Sequence, residues 1–167
     1  MKYQKIDSNL FIKNRKNFLG RMKPNSIAFF NSNDIYPVSA DSTLPFEQHR
    51  DIFYLSGVDQ EESVLMLCPG CTDQNFREVL FLKETDEHIA VWEGPKLNKK
   101  QAFETSGIKS VFWLDEMENI IDKVMNECET IYYNHNEHYR AKIEMETREE
   151  RFNNCLLYTS DAADELC

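Results

Sequence analysis

The first residues that could do chemistry are two cysteines three apart, Cys68-Pro69-Gly70-Cys71. A dithiol redox centre needs its leading thiol at a helix N-terminus, where the dipole lowers the thiol pKa. Here the residues that follow, TDQNFREVLFL, read as a turn and then a strand. The Pro-Gly pair suits a hairpin corner, and a zinc site would need two more ligands at suitable spacing, while no second C-x-x-C exists. The pair therefore reads as a turn with two incidental thiols. His135 and His138 flank Glu137 at a spacing that a helix would turn to one face. Asn134 and Asn136 argue instead for a loop after a strand, and there is no H-E-x-x-H, so a solvated polar turn is expected. The isolated His49 and His88 take the same reading. No G-x-S-x-G, P-loop or G-x-G-x-x-G occurs, and five glycines leave little room for a phosphate-cradling loop. No complete catalytic set and no metal site is expected in this chain.

Aromatic side chains are the other candidates. Phe46, Phe53, Tyr54, Trp92, Phe103, Phe112 and Trp113 lie near expected strand ends and short helices, and core packing accounts for most of them. Trp92 is the exception, because the Glu93-Gly94-Pro95 that follows forces a turn, and an aromatic on a turn is placed to touch a partner.

The elements that must position these residues alternate in type. Residues 8–22 read as a helix capped by Asp7 or Ser8, with Phe11, Phe18, Leu19 and Met22 on one face and Pro24 as its stop. Strands are expected at 26–30, 63–67, 78–82, 110–114 and 130–133, the second and third antiparallel across the Pro69-Gly70 turn. The polar stretch 31–45 reads as an ordered loop, and a loop of that length is often functional. His49 to Gly57 predicts one or two helical turns stopped by Gly57, and residues 88–92 are ambiguous between strand and helix. Asn98 to Ser106 predicts a helix with Gln101 in the capping-box position and Gly107 as stop. Asp115 to Cys128 is the clearest helix: Asp115 as cap, Glu118 three residues on, and Met117, Ile120, Ile121, Val124, Met125 and Cys128 along one face. A charged helix over 140–154 completes the pattern. The whole predicts an α/β fold, a mixed β-sheet flanked by helices on both faces.

The 167 residues suffice for one domain with a real core. A net charge of −10 leaves no basic stripe, which argues against nucleic-acid binding. No apolar run approaches the length of a membrane span, and the first residues carry charges through their apolar stretch, unlike a signal peptide. The expected location is cytoplasmic. With Cys68, Cys71, Cys128, Cys155 and Cys167 the cysteine count is odd, so no disulfide framework is expected. Residues 155–165, CLLYTSDAADE, resemble one reading frame of a transposase sequencing adapter. The expected division is a domain over 1–154 and a non-native tail over 155–167.

Several motifs in a fixed order resemble the amino-terminal domain of aminopeptidase P, in the creatinase–prolidase family. They are Phe46-Glu47-Gln48-His49-Arg50-Asp51-Ile52-Phe53-Tyr54-Leu55-Ser56-Gly57, the acidic-then-apolar Glu61 to Leu67, Val91-Trp92-Glu93-Gly94-Pro95-Lys96-Leu97, Gly107 to Val111, and the helix start at Asp115-Glu116-Met117. The resemblance spans roughly residues 8–150. Gln48, Asp51, Tyr54, Gly57 and Gly94 match its motifs, whereas Glu47 stands where the family has arginine and reverses that charge.

This resemblance implies a metallopeptidase that removes the N-terminal residue ahead of proline. It implies two divalent metals, usually manganese, held by Asp, Asp, His, Glu and Glu in a carboxy-terminal catalytic domain that this chain does not reach. It also implies that this domain supplies homo-oligomer contacts and part of the substrate groove, with Trp92 as the groove-side residue, and that proline-containing peptides bind through the other domain. Two alternatives stand beside it: a free-standing binding or oligomerisation module using loop 31–45 and Trp92, and the corresponding domain of a prolidase or creatinase relative.

Overall fold

In a computed structural model of the chain, residues 6–86, 88, 90–91 and 94–133 are described. The first helix, α1 (Ser8–Leu19), begins where the Asp7 carboxylate accepts the Asn9 N–H at 2.9 Å. It leads to β1 (Ser26–Asn31). The stretch expected to be a loop holds a small hairpin, β2 (Pro37–Ser39) with β3 (Ser42–Thr43), closed by the Leu44 N–H to the Tyr36 carbonyl. Then follow α2 (Arg50–Ser56), β4 (Ser63–Leu67), β5 (Glu78–Leu82), α3 (Lys99–Ser106), β6 (Ser110–Trp113), α4 (Met117–Met125) and β7 (Thr130–Tyr133). His88, Ala90 and Val91 are helical, which resolves that ambiguity. The two-histidine turn, the charged helix over 140–154, Trp92 and residues 155–167 lie outside the described residues.

The five expected strands form one mixed sheet in the order β6-β5-β4-β1-β7. β1–β4 and β4–β5 are antiparallel, and β1–β7 and β5–β6 are parallel. Its central strands are apolar at consecutive positions because both faces are covered. Ala28, Leu65, Leu67, Leu80 and Leu82 point to one side, where they meet Ile52 and Leu55 of α2 and Ala102 of α3. Ile27, Met66, Val79 and Phe81 point to the other, against Ile120 and Val124 of α4. A one-residue slip would exchange the two sets, so packing fixes the register.

The start of α4 differs from the expectation. Leu114–Glu116 form a 3-10 turn, and the helix begins at Met117. The closing group is Glu116, not Asp115 with Glu118. Its carboxylate accepts the Trp113 N–H at 2.8 Å and the Lys99 ammonium at 3.1 Å, and these contacts, the Trp113 N–H foremost, hold it below the usual carboxylate range. The 3-10 turn shifts the first helical bond by two residues, so the acid nearest the unpaired strand-end N–H takes the role.

The apolar face of α1 contains two polar residues with no sequence signal. Asn14 donates to the Tyr54 carbonyl at 2.9 Å. Arg15, 1% exposed, donates from Nε to Glu78 at 2.8 Å and from Nη1 to the carbonyls of Leu55 (2.8 Å) and Ser106 (2.9 Å). Those carbonyls lie in the last turns of α2 and α3, where helices leave acceptors unpaired and the dipole favours a cation. Arg15→Ala should therefore destabilise the chain by about 3–5 kcal/mol, through two orphaned carbonyls and an uncompensated Glu78. Urea unfolding checks this, and a loss under ~1 kcal/mol would show that the lock is dispensable.

Candidate functional site

The segment joining α2 to β4 starts at Gly57, which is left-handed at φ 71° and ends α2 through its N–H to the Phe53 carbonyl. A side chain there would both strain the backbone and overlap the Phe11 ring. The segment ends at Glu62, which is also left-handed (φ 49°) despite its Cβ. Lys83 pairs with the Glu62 carboxylate at 2.9 Å and donates its N–H to the Glu62 carbonyl at 3.1 Å. Gln48 fixes the middle from behind: its amide N–H group faces the carbonyls of Val58 (3.1 Å) and Gln60 (2.8 Å), and its carbonyl accepts the His49 N–H at 2.7 Å.

The opposite wall is Gly94 to Leu97. Gln60 ties it to the first wall by accepting the Leu97 N–H at 2.7 Å, and Lys96, 5% exposed, pairs with Glu61. Between them lies a cavity of about 470 Å³, closed on its third side by Gln101 and Thr105 of α3. Gln60 Nε2 and Asp59 Oδ1 are buried without a hydrogen-bond partner. A left-handed glutamate and two unpaired buried side-chain atoms thus fall within four positions, and such features concentrate at sites of function. The walls present polar and charged groups, Asp59, Gln60, Glu61 and Lys96, that can bind and orient a polar ligand.

Of the residues singled out by motif, Gly57 and Gly94 meet on this cavity and Gln48 braces it. Asp51 is exposed in the first turn of α2, 3.9 Å from His49. The Tyr54 side chain is 56% exposed, and only its carbonyl is engaged, by Asn14. Tyr54 and Phe103 are thus surface residues rather than core. Glu47 is exposed, so its reversed charge costs no packing. Trp92 lies outside the described residues. The motifs did not single out Asp59, Gln60 or Lys96. The polar run Asp59 to Glu62 between a helix stop and an apolar strand was the available signal.

The C-x-x-C is a turn, as its Pro-Gly suggested, with the Cys71 N–H on the Cys68 carbonyl at 3.1 Å and Gly70 packed on the Pro24 carbonyl. Both cysteines are buried. Burial first, then the neighbouring Cys128 thiol, pushes the Cys68 pKa up to about 12, and burial raises that of Cys71 as well. These are not activated thiols. Among the described residues no group of three or more His, Cys, Asp or Glu could hold a metal, so the implied pair of divalent ions finds no ligand set there. No described helix is long and apolar enough to cross a membrane.

The family model described as "Aminopeptidase P, N-terminal domain" matches residues 11–132. The Xaa-Pro aminopeptidase of Escherichia coli K12 is 26% identical over 138 residues, covering 83% of this chain and 31% of that protein. Human Xaa-Pro aminopeptidase 3 is 27% identical over 104 residues, 61% of this chain and 20% of its own length. Among solved structures, E. coli aminopeptidase P superposes with a TM-score of 0.70 at 26% identity, covering 83% of this chain and 31% of that one. Pseudomonas aeruginosa aminopeptidase PepP gives 0.72 at 22% identity over 96% and 34%, a likeness of fold. This chain thus spans a third or less of the length of these curated relatives.

Two outcomes follow from the geometry. Gly57→Ala should cost about 3 kcal/mol, through a left-handed alanine and a clash with Phe11, whereas Gly94→Ala, left-handed at φ 80° but with nothing within 4 Å, should cost only about 1 kcal/mol. Equal losses in thermal or urea unfolding would contradict the packing described. At pH 8, iodoacetamide should label Cys68 in the native chain far more slowly than in the unfolded one, because burial both shields the sulfur and disfavours its thiolate. Peptide mapping after timed quenching reads the ratio, and comparable rates would refute the burial.

Proposed function

Since this chain belongs to the aminopeptidase P N-terminal domain family, we propose that it is the non-catalytic domain of an Xaa-Pro aminopeptidase, a metallopeptidase that releases the N-terminal residue ahead of proline. The observation that carries this reading is the family match over nearly all the described residues. Hydrolysis then belongs to a separate domain, with two divalent metals, manganese in the usual case, activating water and polarising the scissile carbonyl. This domain's part is to wall the substrate groove and to make contacts between subunits.

The cavity between Gly57 and Gly94 supports the first role. Its walls are braced by Gln48, Gln60 and the Glu61–Lys96 pair, so a groove built on them keeps its shape. Trp92 adjoins the Gly94 wall in sequence and is the residue assigned to the substrate side. The β2–β3 hairpin supports the second role. Ile35, Val38 and Leu44 are 40%, 58% and 51% exposed around two short strands, more apolar surface than a solvated loop would show. A homo-oligomer that buries them accounts for their type.

The test is peptide cleavage. The purified chain, given manganese and an Xaa-Pro peptide, should release no N-terminal residue, and release in proportion to chain concentration would overturn the assignment. In a longer polypeptide carrying this domain, Trp92→Ala should raise KM several-fold with the fold intact, and an unchanged KM would remove Trp92 from the groove.

A further inference from the structure

Cys68 ends the β4–β5 ladder and Cys128 closes the turn after α4, 60 residues apart in the chain, yet their Sγ atoms lie 3.5 Å apart. Both sit on fixed backbone. The Cys68 N–H bonds the Arg77 carbonyl at 2.8 Å, and the Cys128 N–H bonds the Met125 carbonyl at 3.1 Å. On either side of Cys128, Glu127 accepts the Thr72 N–H at 2.7 Å and the Glu129 N–H bonds the Asn25 carbonyl at 2.9 Å, so the turn is tied to the Cys68 hairpin and to the start of β1. The sulfurs are therefore held as neighbours and need to approach by only about 1.5 Å to reach disulfide length, which small side-chain rotations supply. Their accessibility differs. Cys68 is 1% exposed, whereas Cys128 is only partly buried, its Sγ also donating to the Val124 carbonyl at 3.4 Å.

We propose that Cys68 and Cys128 are a disulfide-forming pair, oxidised by a small-molecule disulfide such as oxidised glutathione. The Cys128 thiolate attacks one sulfur of the reagent, forming a mixed disulfide and expelling one thiolate. Cys68 then attacks the Cys128 sulfur, the bond to the reagent breaks, and the second thiolate leaves and takes up the Cys68 proton. Two protein thiols are oxidised and one reagent disulfide is reduced to two thiols. The attacking form of Cys68 is its thiolate, a minor species in this buried setting, and the step is favoured because it occurs within one molecule and against a sulfur already in contact. The cross-link joins the end of β4 to the end of α4 and encloses β5, α3, β6 and α4 in one loop, which restricts the unfolded chain.

The experiment incubates the full chain with oxidised glutathione at pH 8.5, quenches in acid, and maps the cysteine peptides by mass spectrometry without reduction. The expected product is a Cys68–Cys128 cross-linked peptide, with a melting temperature raised by several degrees and restored by dithiothreitol. Cys71→Ser should leave the cross-link in place and Cys128→Ser should abolish it. A Cys68–Cys71 bridge, a bridge through Cys155 or Cys167, stable glutathione adducts alone, or five unreacted thiols would each overturn the proposal. The mapping on the unsubstituted chain decides the matter even if a variant fails to fold.

Discussion

A guanidinium group buried where three helices and a strand converge is the constraint from which the architecture follows. Arg15 reaches from α1 to the last turns of α2 and α3 and to Glu78 at the start of β5. Each contact answers a need that the partner cannot meet alone. Helix ends leave carbonyls without donors, and a helix of seven or eight residues cannot offset that loss by length. Burying a charge is costly without paired acceptors, and here the geometry supplies three. The cation thus lets two short helices end inside the protein, against the sheet, rather than at its surface.

The candidate site inherits this arrangement. α2 and α3 end alike, in Ser56-Gly57-Val58 and Ser106-Gly107-Ile108. Each serine hydroxyl donates to the carbonyl four residues back and accepts the N–H two residues on, and each glycine is left-handed. After α3 the chain turns directly into β6. After α2 it must cross to β4 through Asp59 to Glu62, and the strain collects there, in a left-handed glutamate and two unpaired polar atoms. That strain persists because Arg15 fixes one end of the crossing, Gln48 its middle and Lys83 its far end.

What was legible in the sequence tracks the kind of force involved. The five strands and the capped helix at Asn98 were readable because apolar runs and short-range capping are local signals, and both were found where expected. The α/β class followed from their alternation. Arg15 was not readable. A search for apolar periodicity along α1 accepts Phe11 and Phe18 and passes over the Asn14-Arg15 pair between them, and no local rule says that an arginine will meet carbonyls forty and ninety-one residues away. The hairpin within 31–45 was missed because two- and three-residue strands have no periodicity to detect. Gly57 was marked as a helix stop and Gly94 as part of a turn, and both again by motif. That they face each other across one cavity, and that Gln60 joins their walls, is a tertiary fact.

The two faces of the sheet differ in a way that bears on the domain's work. On one face, α1, α2 and α3 are locked by a buried ion, and the end of α2 and one side of α3 border the cavity, so its walls rest on a braced frame. On the opposite face, α4 packs by its apolar stripe, and three thiols, Cys68, Cys71 and Cys128, gather where its end meets the β4–β5 turn. A cross-link on that face would tighten α4 without contacting the Gly57–Gly94 walls, because the sheet lies between them. The buried ion thus braces the cavity's face, while the apolar stripe of α4 holds the other.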